Sequence, residues 1–223
     1  MQNGGKMASR CAAIEGKSSI LSFRKDNRED NMENIVMYVG KGDKALVYAV
    51  SSVLMHSGGT LISSGGRFIC RGGIPERTLH IIREGEQLPR CGGILVLGDT
   101  LSEFSCGGFT DGYLSVVNSR NLRALSCISG TRAVAVGCSP GNLDTVSISG
   151  SSGDSIAVCL NRSLVFDGRL IPPQEIIIRT PYFFPPYAIL AAGAVALLTG
   201  TAVNGRIELM PSSRAGLSGG ICV

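Results

Sequence analysis

The chain has 223 residues, 44% hydrophobic and 17% charged, with a formal net charge of +4. That is too apolar for a disordered polymer, and the basic residues are scattered without a run, which argues against a nucleic-acid-binding surface. Glycine is in surplus, 30 residues with no three-residue period, which excludes collagen and assigns the surplus to turns and close backbone approaches.

Residues 1–33 are polar and of mixed charge and read as a flexible leader, with a short strand at Ser19–Phe23. They lack the apolar core of a secretory signal, which points to a cytoplasmic protein. At Asn34 the pattern changes, and residues 34–210 read as a single α/β domain. Ile35–Val39 is a short apolar run suited to a buried strand. Gly40-Lys41-Gly42-Asp43-Lys44 is a turn, and Ala45–His56 carries Leu46, Val50, Val53 and Leu54 on one helical face. Thr60–Ser63 follows as a strand, which completes a strand–loop–helix–strand unit with a right-handed crossover.

Further along, Arg67–Cys70 reads as a strand and Glu76–Arg83 as a polar helix. Gly93–Leu97, Tyr113–Val117 and Ala133–Gly137 are apolar strands, with a short helix at Leu122–Cys127. The expected architecture is a mostly parallel central sheet with flanking helices. The period then switches to two. Thr145–Ser149, Ser155–Leu160, Ser163–Phe166 and Glu175–Arg179 read as an antiparallel β-meander over 145–179. A closing helix over 188–199 and a strand around Arg206–Met210 come next, and 211–223 is a loose tail. Ala188–Leu198 is uncharged and apolar but falls short of the roughly 20 residues that span a bilayer, so it reads as a buried helix ended by Gly200, with no membrane span.

The loop after the first strand is the main candidate for chemistry. Gly40, Lys41, Gly42 and Lys44 are the candidate cofactor-binding residues. A Gly-containing loop opening a helix offers backbone N–H groups to an anion, and a Lys adds a point charge. The complete phosphate-loop pattern is absent. Ala45 stands where a Ser or Thr hydroxyl would bind Mg²⁺, and Asp43 puts a negative charge where a phosphate would sit. A dinucleotide site is a poor fit, because Ser63-Ser64 occupy the place of the acidic residue expected ~20 positions on.

Elsewhere, Asp99 at the end of an apolar strand is a ligand candidate, because open α/β sheets place functional groups there. Asp111 and Asp144 read as turn residues. The two histidines, His56 at a helix end and His80 in the polar helix, have no Cys at metal-ligand spacing. The eight cysteines form no CxxC pair and read as reduced thiols, Cys91 and Cys106 flanking the best-formed loop. No GxSxG elbow is present.

Taken in order, these segments resemble a known family. The run from Ile35 to Gly73, IVMYVGKGDKALVYAVSSVLMHSGGTLISSGGRFICRGG, looks like the opening of the central, phosphate-loop-type ATP-binding domain of the Mur ligases, closest to the cyanophycin-synthetase branch. Those domains begin with a strand, G-T-N-G-K-[ST], a helix, a strand and a T-D-G hairpin. Gly40 and Lys44 fall on the family's first Gly and its Lys. Arg90-Cys91-Gly92-Gly93-Ile94-Leu95 resembles the branch's A-R-G-G-I-L segment. Asn118–Gly137 resembles its Asn motif, helix and V-x-x-G strand. Ala191-Ala192-Gly193-Ala194-Val195-Ala196 resembles its closing A-A-x-A-x-A helix.

The departures are specific. Besides Ala45, the loop's Asn and second Gly are Gly42 and Asp43. The metal-binding Glu before A-R-G-G-I-L aligns with Leu88, with Glu86 two positions away. The two Asn of the closing helix align with Pro185 and Ala188, and few residues follow Gly200 where the family has its C-terminal ligase domain. The resemblance implies ATP and Mg²⁺ as cofactors. The departures imply a degenerate, non-catalytic domain with a binding or assembly role, working with a protein partner or as a homo-oligomer. The other reading that the resemblance allows is an ATP-dependent amide (acid–amino acid) ligase fragment, completed by a partner, in cell-wall precursor or amino-acid-polymer metabolism.

Overall fold

A computed structural model describes residues 33–56, 60–64, 67–71, 77–101, 112–128, 134–138, 144–202 and 204–209. The elements run β1 (Glu33–Val39), α1 (Lys44–His56), β2 (Thr60–Ser64), β3 (Arg67–Arg71), β4 (Arg77–Arg83), β5 (Gly93–Leu97), β6 (Tyr113–Val117), α2 (Leu122–Ile128) and β7 (Val134–Gly137). They continue with β8 (Val146–Ser152), β9 (Ser155–Leu160), β10 (Leu164–Phe166), β11 (Arg169–Ile171), β12 (Gln174–Arg179), α3 (Pro186–Thr199) and β13 (Arg206–Glu208). The expected strand at Ser19–Phe23, the leader before Glu33 and the tail after 210 lie outside the described residues.

The main sheet has the order β2-β3-β4-β1-β5-β6-β7. Five strands, β4 through β7 in that order, are parallel, and β3 and β2 add an antiparallel edge. The α/β class and the mostly parallel sheet therefore hold. β2 runs in the same direction as β1 but lies three places away, because β3 and β4 fill the places between.

Period two is visible in β1. Ile35, Met37 and Val39 face one apolar layer, whereas Val36 and Tyr38 face the other. Both faces of the strand are buried, as a parallel sheet covered on both sides requires. The smaller layer packs β1, β5 and β6 against Ala124 and Ile128 of α2. The larger holds α1 and α3, and across them lies a second sheet of order β13-β12-β9-β8.

Two expectations are corrected here. Glu76–Arg83 is no helix: Arg77–Arg83 is β4, paired along its full length with β1. The segment's polar look suggested a solvent-facing helix. β-Branched Thr78, Ile81 and Ile82 suit a strand, and a slot beside a central strand overrides weak helical periodicity. His80 is accordingly a buried strand residue. The second correction concerns the meander. β8, β9 and β12 form it, but β10 does not join it. Asp167 and Gly168 both take positive φ (49° and 74°), which makes a two-residue hairpin turn, so β10 folds back on β11, a strand the sequence reading passed over.

α3 is the apolar element around which the layers meet. Every residue from Tyr187 to Thr199 is buried. A helix apolar on all sides must be enclosed by protein, and here α1, β6 and the sheet of β8, β9 and β12 enclose it. It begins with Pro186 at its first position and ends at Gly200, whose φ of 68° allows the left-handed cap that returns an N–H to Ala196 O. Gly193 marks the closest approach. A methyl group there would sit 2.8 Å from Val158 Cγ1 and 3.2 Å from Ile178 Cδ1. No helix among the described residues is long and apolar enough to cross a membrane.

The free carbonyls at the end of α3 meet an ion-pair cluster. Arg77 Nη2 donates to Thr199 O (2.9 Å), Arg77 Nε donates to Glu33 Oε2 (2.9 Å), and Arg169 Nη2 donates to Glu33 Oε1 (2.8 Å). Glu33 and Arg77 are nearly enclosed, with side chains 10% and 5% exposed. One carboxylate thus ties the start of β1 to β4 and to the β10–β11 hairpin. Removing one partner of a buried pair strands the other charge. Glu33→Gln is expected to lower the unfolding free energy by about 3 kcal/mol in urea titration. Gly193→Val is expected to cost about 1–3 kcal/mol by overpacking in the same measurement.

Candidate functional site

In a parallel sheet, ligands bind outside the carboxyl ends of the strands, where consecutive connections leave in opposite directions. Here that point lies between β1 and β5. The chain leaves β1 for β4 on one side, then returns to β5 on the other. Two loops meet there: Gly40–Asp43 after β1, and Gly98–Thr100 after β5. The hydrogen bond from Gly98 N–H to Tyr38 O (2.8 Å) holds them in register.

Asp43 occupies the junction. Its Oδ2 accepts from Gly40 N–H (2.8 Å), and its Oδ1 accepts from the N–H groups of Asp99 (3.0 Å) and Thr100 (3.2 Å). The residue is only 4% exposed. An Asp just before a helix ordinarily caps the N–H groups of the first turn. The Asp43 carbonyl does accept from Val47 N–H (3.0 Å), but its carboxylate serves the two loops. Thr100 closes the arrangement from above: its Oγ1 accepts from Gly42 N–H (3.2 Å). A methyl group at Gly40 would lie 2.8 Å from Thr100 O, and one at Gly42 would lie 2.8 Å from Thr100 Cγ2. At Gly98 it would collide with Asp43 Oδ2.

The loop's glycines are therefore required, but for contact with the chain itself. Of the four expected cofactor-binding residues, Gly40 and Gly42 give their N–H groups to Asp43 and Thr100. Lys41 and Lys44 are exposed and form no ion pair among the described residues. Ala45, half-buried, supplies no hydroxyl. Leu88, at the position of the family's metal carboxylate, is buried in the apolar layer under α2. Glu86 is exposed and accepts from Arg83 N–H (3.0 Å) within its own turn. Among the described residues no group of three His, Cys, Asp or Glu side chains is placed to hold a metal ion. The residues present do not fit a Mg²⁺-bound nucleotide at this loop: the Gly40 and Gly42 N–H groups are taken, a buried carboxylate lies against them and the metal-binding hydroxyl is missing.

Asp99 extends the cluster sideways. Its Oδ1 accepts from the amides of Asn118 (3.0 Å) and Asn121 (3.1 Å), and Asn121 also donates to Asp99 O (3.0 Å). Asn121 caps α2 in turn, with Oδ1 accepting from Arg123 and Ala124 N–H (both 3.1 Å). The ends of β5 and β6 are thereby locked together. Beneath them, the Tyr187 hydroxyl of α3 donates to Leu97 O (2.6 Å). Burial above all, with the nearby Asp99 and Asp43 carboxylates adding to it, holds that hydroxyl far above its ordinary pKa, so it stays a neutral donor.

The remaining candidates do not assemble. His56 ends α1 and His80 lies in β4. Cys138 is buried, and its thiol is pushed up by burial and then by the charge of Asp144, the opposite of what a nucleophile needs. Asp144 gives its backbone carbonyl to Asn161 Nδ2 (2.6 Å). Cys91 sits beside the Tyr113 hydroxyl (3.2 Å), which burial and then Cys91 push upward. Cys106 and Asp111 lie outside the described residues.

Sequence reasoning missed Thr100, Gly98 and Tyr187. Only Tyr187 had a signal, an isolated phenol opening an otherwise aliphatic helix. No protein-family model matches the chain, and no curated protein matches it either.

The contact between Gly98 and Asp43 gives a direct test. Gly98→Ala is expected to destabilise by about 1–3 kcal/mol, because the new methyl group evicts the carboxylate. In an Asp43→Gly background the same change should cost less. A double-mutant cycle in urea should show coupling of about 1 kcal/mol or more.

Proposed function

We propose that this chain is a degenerate Mur-ligase-like domain that no longer activates a substrate with ATP and serves as a binding or assembly protein, with a protein partner or a second copy of itself. The observation that carries the reading is the buried Asp43 carboxylate. It takes the Gly40 N–H of the loop, together with those of Asp99 and Thr100, and it places a negative charge where a phosphate would arrive.

The sequence resemblance supports the family half of the reading, together with the strand, Gly loop, helix and antiparallel hairpin that precede β4. The missing chemistry supports the other half. Acyl-phosphate formation depends on a metal and positioned cations, because the protein's contribution is electrostatic. Here the metal hydroxyl is Ala45, the metal carboxylate is Leu88, and the two loop lysines face solvent. What persists is a packed core carrying a closed crevice.

Titration calorimetry with ATP and ADP, with and without Mg²⁺, is expected to show no Mg²⁺-dependent binding. Lys44→Ala should leave the traces unchanged. Mg²⁺-dependent nucleotide binding that Lys44→Ala abolishes would sink this reading and favour a working ligase fragment.

A further inference from the structure

The Asp43 side chain is a buried carboxylate without a cationic partner. No ion pair reaches it among the described residues, and the neighbouring Lys41 and Lys44 are exposed. An isolated buried charge is costly unless fixed dipoles meet it. Three do: the N–H groups of Gly40, Asp99 and Thr100 converge on its two oxygens at 2.8–3.2 Å. None of these donors belongs to a helix. They come from the ends of two strands held together by the Gly98–Tyr38 backbone bond. The space for the carboxylate exists only because residue 98 is glycine, since a methyl group there would overlap Oδ2. Two loops and a glycine thus form a preorganised cradle for an oxyanion, of the kind that successive backbone N–H groups make.

We propose that Asp43 is an intramolecular occupant of this cradle, and that the cradle accepts a small free oxyanion once the side chain is gone. The ligand class is a carboxylate or phosphate with two oxygens free to accept. The inference rests on the closed-loop part of the reading above and not on ligase ancestry. The carboxylate competes as a tethered ligand at high effective concentration, so an anion in solution does not displace it from the natural protein. Thr100 joins the two loops twice: its N–H donates to Asp43 Oδ1, and its Oγ1 accepts from Gly42 N–H.

The test is chemical rescue of Asp43→Gly. The full chain carrying this change is expected to melt about 5 °C below the natural protein, because hydrogen bonds to a charged group are lost. Sodium formate or inorganic phosphate should raise that midpoint in a saturable way, and sodium chloride of equal ionic strength should not. The natural protein should respond to all three salts alike. Asp43→Asn, which still fills the cradle, should melt lower but show no rescue. Asp43→Gly that is folded yet indifferent to formate and phosphate would overturn the proposal, as would an equal response from the natural protein. If Asp43→Gly is unfolded, refolding from urea is expected to need formate or phosphate, and failure with both anions overturns the proposal too. Mg²⁺-dependent ATP binding by the natural protein would defeat the non-catalytic reading. Absent rescue would defeat only the cradle.

Discussion

Enclosure of α3 on every side is the constraint on which the rest of the molecule depends. A 14-residue helix with no polar face cannot lie on a surface, so the chain must supply a wall in each direction. The parallel sheet and α1 are two walls. The sheet of β8, β9, β12 and β13 is the third, and it explains why an antiparallel unit follows the α/β part of the chain without a core of its own. Gly193 lets the helix close on Val158 and Ile178, and Gly200 ends it where Arg77 can reach the last carbonyls. Tyr187, at the other end, carries the same enclosure to the carboxyl edge of the sheet, where its hydroxyl fixes the backbone of β5. The helix therefore also positions the loops of the candidate site.

At that edge one carboxylate replaces what a ligand would do. Here Asp43 supplies the anion from within the loop, and Gly98 and Thr100 of the neighbouring loop complete the shell. The exchange has an electrostatic consequence. A bound nucleotide would bring its own cations and could leave, whereas a tethered carboxylate is permanent and its charge is met by dipoles alone. The close contacts that hold the loop's shape require glycine at 40, 42 and 98.

How much of this was legible in the sequence divides along physical lines. Apolar runs such as Ile35–Val39 and Gly93–Leu97 marked the buried strands, because a parallel strand covered on both faces needs no polar alternation. The segment 188–199 announced a buried helix for a similar reason. Arg77–Arg83 misled because its polar residues are satisfied by tertiary partners that no local window contains: Arg77 by Glu33, forty-four positions earlier, and by the end of α3. The β10–β11 hairpin was hidden by brevity, three residues in each strand. In the site, the negative charge at Asp43 could be read as misplaced for a phosphate. Its partners could not, because Asp99 and Thr100 are 56 and 57 positions away and contribute backbone N–H groups, which every residue but proline has.

Ala45 and Leu88 are legible in the sequence as side chains without a metal-binding oxygen. Asp43 is different, because a carboxylate must be stabilised to be tolerated in a buried position, and the stabilisation comes from the cradle it fills. The carboxylate's bonds to both loops and the close contacts at the glycines hold the two loops as one unit. The closed crevice is thus a structural element of this chain, joining β1 to β5 as Asn121 joins β5 to β6.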